Sequence, residues 1–521
     1  DPHLSWWGPS RFWEFRIHAG GLQGSGVTLA GSPYIGLGHN ANLAWAMTTG
    51  GPDTADIYEL TLNETDPTQY LYEGEWKKMT SRDVTLAVKG EEPQTHTLWF
   101  SQHGPIIAKH GTKAYAAKMA YDDVVNGSEV WYDLNLAKDY TGAVTAIDTL
   151  AIFPQNVMCA DTSGNIYYQR AGRVPKRSQD LDWSVPVDGS KAAAEWQGFH
   201  PGSDLLHVLN PPQGYMQNCN IPPDAMMPNS PFKLSESIDY IFASKDYGDN
   251  RDGWTNQRGA RAIQLLGADD SVTVEEALQY AVDMRIYGAD RWVEVLRQAH
   301  AKYAADYAGN SDYQPAIDDL LAWDLESRPE STGALKYYYW RKQLADDFGD
   351  MVKEAEKSID DWYAIVEGRP ERALQEPDEA LQTGLAEFVK AMGVLKEHFG
   401  KLDATYGDKF RVGRGDASWP VGGGGDVGNR TLRSMTYEKD RDDHTRWGTG
   451  GQTSTQLVQL SKPVESWMYL PVGNSDRTDS SHYRDQAEKA FSKAQLKDTW
   501  WRPEELKDHI ESRTVLANAP A

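Results

Sequence analysis

Gly38-His39-Asn40-Ala41-Asn42-Leu43-Ala44-Trp45-Ala46-Met47-Thr48-Thr49 decides how this chain folds. From Leu43 onward the side chains alternate, with Trp45, Met47 and Thr49 on one face and Ala44, Ala46 and Thr48 on the other. That period marks a β-strand. Upstream, Trp13-Glu14-Phe15-Arg16-Ile17-His18 alternates apolar with polar residues, as a half-buried strand does. Downstream, Asp83 to Lys89 alternates again through Val84, Leu86 and Val88. Gly20-Gly21, Gly24, Gly26 and Ser32-Pro33 punctuate these runs as turns. The first third of the chain therefore predicts a layered sheet.

From about Asp269 the period changes. Thr273-Val274-Glu275-Glu276 forms a capping box, followed by Val274, Ala277, Leu278, Ala281 and Val282 at helical spacing. Further helices are expected over Asp290 to Tyr307, Tyr313 to Trp323, Ala334 to Lys357 and Pro377 to Phe399. The run Gly422 to Gly425 ends this section, and Gln456 to Leu460 and Ser466 to Leu470 read as buried strands returning to the sheet. No internal repeat is present. The order strands, helices, strands predicts an α+β fold: a sheet core begun by residues 1–265, a mostly helical insertion over 266–415, and a return to the core over 416–521.

Length and composition narrow the function. A chain of 521 residues buries a large core, and 19 Trp suit a deep interior or an aromatic-lined pocket. The 52 basic and 76 acidic residues leave a net charge of -24, which argues against nucleic acid or an anionic membrane as the main partner. Cys159 and Cys219 are the only cysteines, so a disulfide framework and a Cys-based metal site are excluded, while one bridge or two buried thiols both remain open. No apolar stretch is long enough to span a bilayer, and the first residues lack the basic and apolar regions of a signal peptide.

The opening Asp1-Pro2-His3-Leu4, the stretch Gly38 to Thr49 and its continuation Gly51-Pro52-Asp53-Thr54-Ala55-Asp56-Ile57-Tyr58 together resemble the nucleophile-bearing chain of the penicillin acylase family of N-terminal nucleophile hydrolases. The resemblance continues in order through His103-Gly104-Pro105-Ile106-Ile107, Pro154-Gln155-Asn156-Val157, Ala160-Asp161, Gly164-Asn165-Ile166 and Gly172 to Arg177. It goes on through Asn210-Pro211-Pro212, Gly214-Tyr215, Trp323-Asp324 and Ser481 to Gln486. Two places depart from the family pattern. Gly451-Gln452-Thr453-Ser454-Thr455-Gln456 stands where a Gly-x-Ser stretch with a nearby Arg is usual, and Ser480-Ser481 precedes His482 where Ser-Pro is commoner.

This resemblance implies a four-layer αββα core with the helical insertion. It also implies a catalytic serine at the start of the family's chain, about twenty residues, a hairpin's length, before the Pro-His-Leu segment, and hence upstream of Asp1. In such enzymes the chain's own α-amine is the base, so no Ser-His-Asp triad is required. By resemblance, His3 orients the nucleophile or its amine, Thr49 supplies a backbone N–H and Asn156 a side-chain N–H to the oxyanion, and Arg177 lies near the active centre. Leu4, Leu37 and Met47 would line an acyl pocket, with Trp6 and Trp7 near its mouth. Asp53, Ala55 and Asp56 match a calcium loop, a set of hard oxygen donors that is incomplete on its own, and Asp161 is a weaker ligand. A structural Ca2+ is thus the one cofactor expected, with no organic cofactor.

The leading expectation is an amidohydrolase that cleaves a hydrophobic acyl group from an N-acyl homoserine lactone or a β-lactam side-chain amide through an acyl-serine. His3 leans towards the former, because penicillin G acylases carry glutamine there. The expected partner is a small N-terminal chain from the same precursor, forming a heterodimer, and the expected location is periplasmic or secreted. Two other readings stand beside it: a non-catalytic binding protein on the acylase scaffold, and a glycoside-binding or glycoside-cleaving protein suggested by the many Trp and acidic residues.

Overall fold

In the computed structural model, which describes residues 1–243, 255–354, 377–426 and 428–515, the strand Leu43–Thr48 lies at the centre of a seven-stranded sheet. Its order is His207–Leu209, Ile166–Ala171, Gln155–Asp161, Leu43–Thr48, Leu37–Asn40, Leu22–Leu29 and Phe12–Ala19, and every pairing is antiparallel. The alternation read from the sequence separates two environments. Leu43, Trp45 and Met47 pack with Val130, Leu134, Ala143 and Ile147 of two helices, Gly127–Leu136 and Tyr140–Ile147. Strand patterning in the first third did not announce these helices; the second starts where Asp139 accepts a hydrogen bond from the Gly142 N–H, an ordinary N-cap.

The other face looks onto a second layer of strands. His3–Ser5, Arg446–Gln452, Phe410–Arg414 and Ala417–Pro420 form one sheet, with Met435–Tyr437 joined to Arg446–Gln452. Thr455–Gln459, Glu465–Tyr469 and Lys497–Asp498 form another. Phe12 and Val27 meet Met468 and Leu470 across the gap, and His39 Nε2 lies 2.8 Å from Ser466 Oγ. Beyond the second layer the helices take over: Phe410, Val412 and Met435 share one apolar cluster with Leu335, Trp340, Phe388 and Leu395. Helix, sheet, sheet and helix thus succeed one another, as an α+β sandwich requires.

The helical spans follow their periodicity. The capping box of Thr273 and Glu276 starts the helix Val274–Ala281, and Ala289–Tyr303, Tyr313–Leu321, Thr332–Glu354 and Pro377–Phe399 fall where the apolar spacing puts them. Residues 355–357 of the expected fourth helix lie outside the described residues.

Two expectations change. The last two strand runs do not rejoin a larger sheet but pair with each other, Gln456 opposite Met468. The run at Asp83 belongs to Thr80–Leu86, the edge of a separate six-stranded sheet, and Leu86 is 50% exposed there, so its alternation does not report a core. Cys159 and Cys219 are two free thiols, and burial, with Asp161 nearby, pushes the Cys159 thiol up to about 12.

Candidate active site

Strand register assembles the site. Asn156 pairs with Thr48 on one side and with Arg170 on the other, so the strand of Thr48 and the two strands of a distant hairpin meet on one sheet face. Antiparallel partners point the same way, and Asn156, Met158 and Ala160 therefore share that face with Thr48, Ala46 and Ala44. It runs from apolar at the Ala44 end to polar at the Thr48 end.

At the polar end the Asn156 amide is oriented by its acceptor side. Asn156 Oδ1 accepts from the Tyr168 hydroxyl at 2.8 Å and from Arg170 Nη1 at 3.3 Å, which fixes which way the amide is turned. Arg170 is fully buried, and its Nη2 donates to Gly51 O at 2.9 Å. Asn156 Nδ2 is left to donate to Thr48 Oγ1 at 3.2 Å, Thr49 O at 3.3 Å and Asn218 Oδ1 at 3.5 Å. All three are longer than the usual length of about 2.9 Å.

His3 enters from the second layer. Its strand His3–Ser5 pairs with Arg446–Gln452, His3 opposite Gln452, and Leu4 N–H donates to Thr453 Oγ1 at 2.7 Å. The stretch that departs from the family pattern is thus the partner of the opening segment. Arg258 Nη1 lies 3.3 Å from His3 Nδ1, and Asp1 Oδ2 lies 3.2 Å from His3 Nε2. A guanidinium only donates, so Nδ1 accepts and Nε2 carries the proton that points at Asp1. Burial first, and then the Arg258 charge, hold the imidazole well below its ordinary value, so His3 is neutral.

Arg258 continues the network. Its Nη2 donates to Asn220 Oδ1 at 3.1 Å, and Asn220 Nδ2 donates to Thr49 O at 3.0 Å. His3, Arg258, Asn220, Thr49 and Asn156 form one connected chain. The sequence reading named His3, Thr49 and Asn156, and missed Arg258, Asn218, Asn220, Tyr168 and Arg170. A signal existed for the last two: the Asp161 turn sets a hairpin register that places Arg170 opposite Asn156.

Beyond the apolar end lies a cavity of about 390 Å3, lined by Leu37, Ala44, Ala46, Met158, Ile166 and Leu266, with Pro2 at its wall. Leu266 comes from the helix Gln257–Gly267, whose opposite end carries Arg258. Leu37 stands where the sequence placed it. Met47 does not: it is buried among the helices behind the sheet, because it shares the face of Trp45 and not that of Ala46. Leu4 is 38% exposed on its strand and is not part of the cavity wall. Trp6 is fully buried, with its ring edge-on to Phe491 and Nε1 donating to Gln452 O at 3.0 Å, a core residue and not a pocket mouth.

Arg177 also lies apart from the chain around Asn156. Its Nε donates to Asp56 Oδ2 at 2.7 Å, its Nη1 to Asp53 O at 3.1 Å, and its Nη2 lies 3.5 Å from Asp53 Oδ1. Trp196 Nε1 reaches Asp56 Oδ2 at 2.7 Å, and burial raises the Asp56 carboxyl despite these partners. One observation favours a cation here: Asp56 Oδ1 is buried with no hydrogen-bond partner. Against it, the guanidinium already lies between the two carboxylates. Asp53, Asp56 and the Ala55 carbonyl also fall short of the about six to eight oxygens calcium takes, so these residues do not form a calcium site by themselves. Asp161 is turn chemistry: although its burial opposes this, hydrogen bonds from Asn165, Tyr140 and Ser163 hold its carboxyl below the usual range.

Sandwich, polar chain and apolar cavity together define a protein of the penicillin acylase type. A solved structure described as a thermostable penicillin G acylase from Alcaligenes faecalis matches with a TM-score of 0.66 at 20% identity, covering 100% of this chain and 96% of that one, which shows the fold. The penicillin amidase family model matches residues 1–508, and the chain belongs to that family. It is 33% identical to the penicillin G acylase of Escherichia coli over 44% of this chain and 27% of that protein. It is 30% identical to an acyl-homoserine lactone acylase PvdQ of Pseudomonas fluorescens over 95% of this chain and 65% of that protein. The chain thus spans between 27% and 65% of the length of these two relatives. Among the described residues, no helix is long and apolar enough to cross a membrane.

Proposed function

We propose that this chain is the large part of an amidohydrolase that removes a hydrophobic acyl group from an N-acyl amide. The observation that carries the reading is the single sheet face on which an oriented Asn156 amide and the Thr49 turn adjoin an apolar cavity. In this reading a serine upstream of Asp1 attacks the amide carbon, and its proton passes to the α-amine of the serine and then to the departing nitrogen as the C–N bond breaks. Water hydrolyses the acyl-serine by the same route. Asn156 Nδ2 and the Thr49 N–H face the carbonyl oxygen as charge builds on it; such donors are each worth about 100- to 1000-fold in rate. Neutral His3, held at Nδ1 by Arg258, is a rigid wall beside the reacting atoms.

The cavity takes the acyl group by burial against Leu37, Ala46, Met158 and Leu266, with Asp1 a charged residue at its wall. A smaller chain from the same precursor is the proposed partner, and the periplasm or cell exterior the proposed setting. Calcium is proposed at Asp53 and Asp56 only with further oxygen ligands from that partner. The test is acyl release by the complete two-chain protein from N-octanoyl homoserine lactone and from penicillin G. Turnover of one or both is expected, and no turnover of any N-acyl amide overturns the reading.

A further inference from the structure

His398, Asp440 and His444 form a cluster that takes no part in the chain around Asn156 or in the acyl cavity. His398 lies in the last turn of the helix Pro377–Phe399, where the carbonyls of a helix C-terminus favour positive charge. Asp440 and His444 come from the connection between Met435–Tyr437 and Arg446–Gln452. Backbone bonds close that connection, Arg441 N–H to Thr445 O and His444 N–H to Arg441 O, both at 2.9 Å, and the turn sets His444 at a φ of 61°. Few residues other than glycine adopt this left-handed conformation, and histidine is one of the types enriched there. In it the His444 ring lies against that of His398, with centroids 3.8 Å apart and planes 5° from parallel. One ligand atom from each of the three residues lies within 4.8 Å of the other two.

Two of the three are held from behind. The Tyr339 hydroxyl lies 2.7 Å from His398 Nδ1, which leaves Nε2 for a ligand. Lys409, whose side chain is fully buried, donates through Nζ to Asp440 Oδ2 at 2.9 Å and to His444 O at 3.1 Å. Asp440 Oδ1 accepts no hydrogen bond among the described residues: Arg446 Nε, 3.6 Å away, donates to Glu438 O, and Arg446 Nη1 is paired with Asp426. Metal-binding imidazoles and carboxylates are oriented in this way, through the atom that does not bind. The ring of His444 makes no hydrogen bond among the described residues. The stacked rings set their nitrogen lone pairs side by side, so both reach one ion once the His444 ring tilts, and that ring has no hydrogen bond to give up.

We propose that His398, Asp440 and His444 bind one first-row divalent cation of the zinc type, which ties the end of the helical section to the hairpin whose strand Arg446–Gln452 pairs with His3. Two imidazole nitrogens and one carboxylate oxygen suit zinc, nickel or copper better than calcium or magnesium, and three protein ligands leave the remaining positions to water. The assignment is independent of the amidohydrolase reading.

The complete protein, stripped with a chelator and returned to a calcium-containing buffer at about pH 7.5, where ordinary imidazoles are neutral, is titrated calorimetrically with Zn2+. Binding of one Zn2+ at this cluster is expected, with a rise in melting temperature, because the ion binds the folded chain. Tyr339→Phe keeps the packing and loses the hydroxyl behind His398, and is expected to weaken binding about 10- to 100-fold. His444→Asn, which tolerates the left-handed turn but removes a ring ligand, is expected to weaken it at least as much and to cancel the rise. No binding of Zn2+, or equal affinity in His444→Asn and the wild type, overturns the proposal. Displacement of the zinc by excess calcium also overturns it, since a hard cation does not favour imidazole. The spin resonance of Cu2+ bound to the wild type decides the matter where a variant does not fold: coupling to two imidazole nitrogens is expected, and coupling to one or none overturns the site.

Discussion

Two buried polar groups sit on consecutive stretches of chain, one around Thr48 and Thr49, the other around Asp53 and Asp56, and they are built on opposite plans. In the second, charge closes on charge: Arg177 lies between two carboxylates and Trp196 adds a further donor. In the first, Asn156 Nδ2 donates to neutral groups, among them a hydroxyl, a carbonyl and another amide at 3.2 to 3.5 Å. In the charged group Asp56 Oδ1 and Arg177 Nη2 make no hydrogen bond among the described residues, but each lies beside an opposite charge. The Asn156 amide is neutral and is oriented from behind by Tyr168 and Arg170, as its proposed role at the oxyanion requires. Adjacent stretches are thus built differently, one around charge and the other, in the function proposed above, around neutral donors for the reaction.

The contrast is broken most directly at Arg177. Its side chain is fully buried and that of Asp56 is 2% exposed, so Arg177→Met strands a charge and is expected to cost about 3–5 kcal/mol of stability. Urea denaturation measures this, and an unchanged midpoint would show that the pair is not closed. Next comes Asn156→Asp, which keeps the shape and the acceptor facing Tyr168 but removes the Nδ2 donor. It is expected to lower kcat about 100- to 1000-fold, with a far smaller effect on the melting temperature than Arg177→Met; a change in KM alone would refute the assignment of Asn156 to the oxyanion.

A third experiment uses acid. His39 lies buried between the two layers, and burial lowers its pKa from 6.5 to about 4. The folded state therefore binds fewer protons than the unfolded one between these values. The stability that neutral His39 contributes is complete above about pH 6.5 and is lost as the pH falls towards 4, by about 2–3 kcal/mol between pH 7 and 4.5. His39→Gln should flatten this part of the acid limb, and an equally steep limb in the variant would place the titration elsewhere. The smallest effect is expected at Ala46, on the cavity face: Ala46→Leu should reduce kcat/KM for an N-dodecanoyl substrate about tenfold relative to an N-butanoyl one, at about 1–2 kcal/mol of lost burial. Equal loss for both would move the acyl chain out of this cavity.

Much of this architecture was legible before any coordinates. Helical periodicity and the Thr273 capping box are local properties, and they placed the helices. His3, Asn156 and Leu37 were singled out by likeness to a family. What the sequence could not say was which face of a strand looks where. Alternation grouped Met47 with Trp45 but did not reveal that helices cover that face, and so Met47 was assigned to the wrong side. Arg258 and Asn220 were missed for a different reason. They belong to no motif, and the meeting of Arg258 with His3, across a separation of 255 residues, and with Asn220 follows from tertiary packing.

The short strand bearing His3 pairs with Arg446–Gln452 alone, and Leu4 is tied to Thr453 across a separation of 449 residues. Contacts of that reach form late, because the intervening chain must first be made and gathered. At about 5–20 residues per second, synthesis takes on the order of tens of seconds to deliver the partner strand. Throughout that interval the strands bearing Thr48 and Asn156 can already pair, while His3 waits unpaired. The pairing of His3 is therefore completed only after Arg446–Gln452 has been made, and a ribosome-bound chain stopped short of Arg446 should carry the paired strands of Thr48 and Asn156 with no histidine beside them.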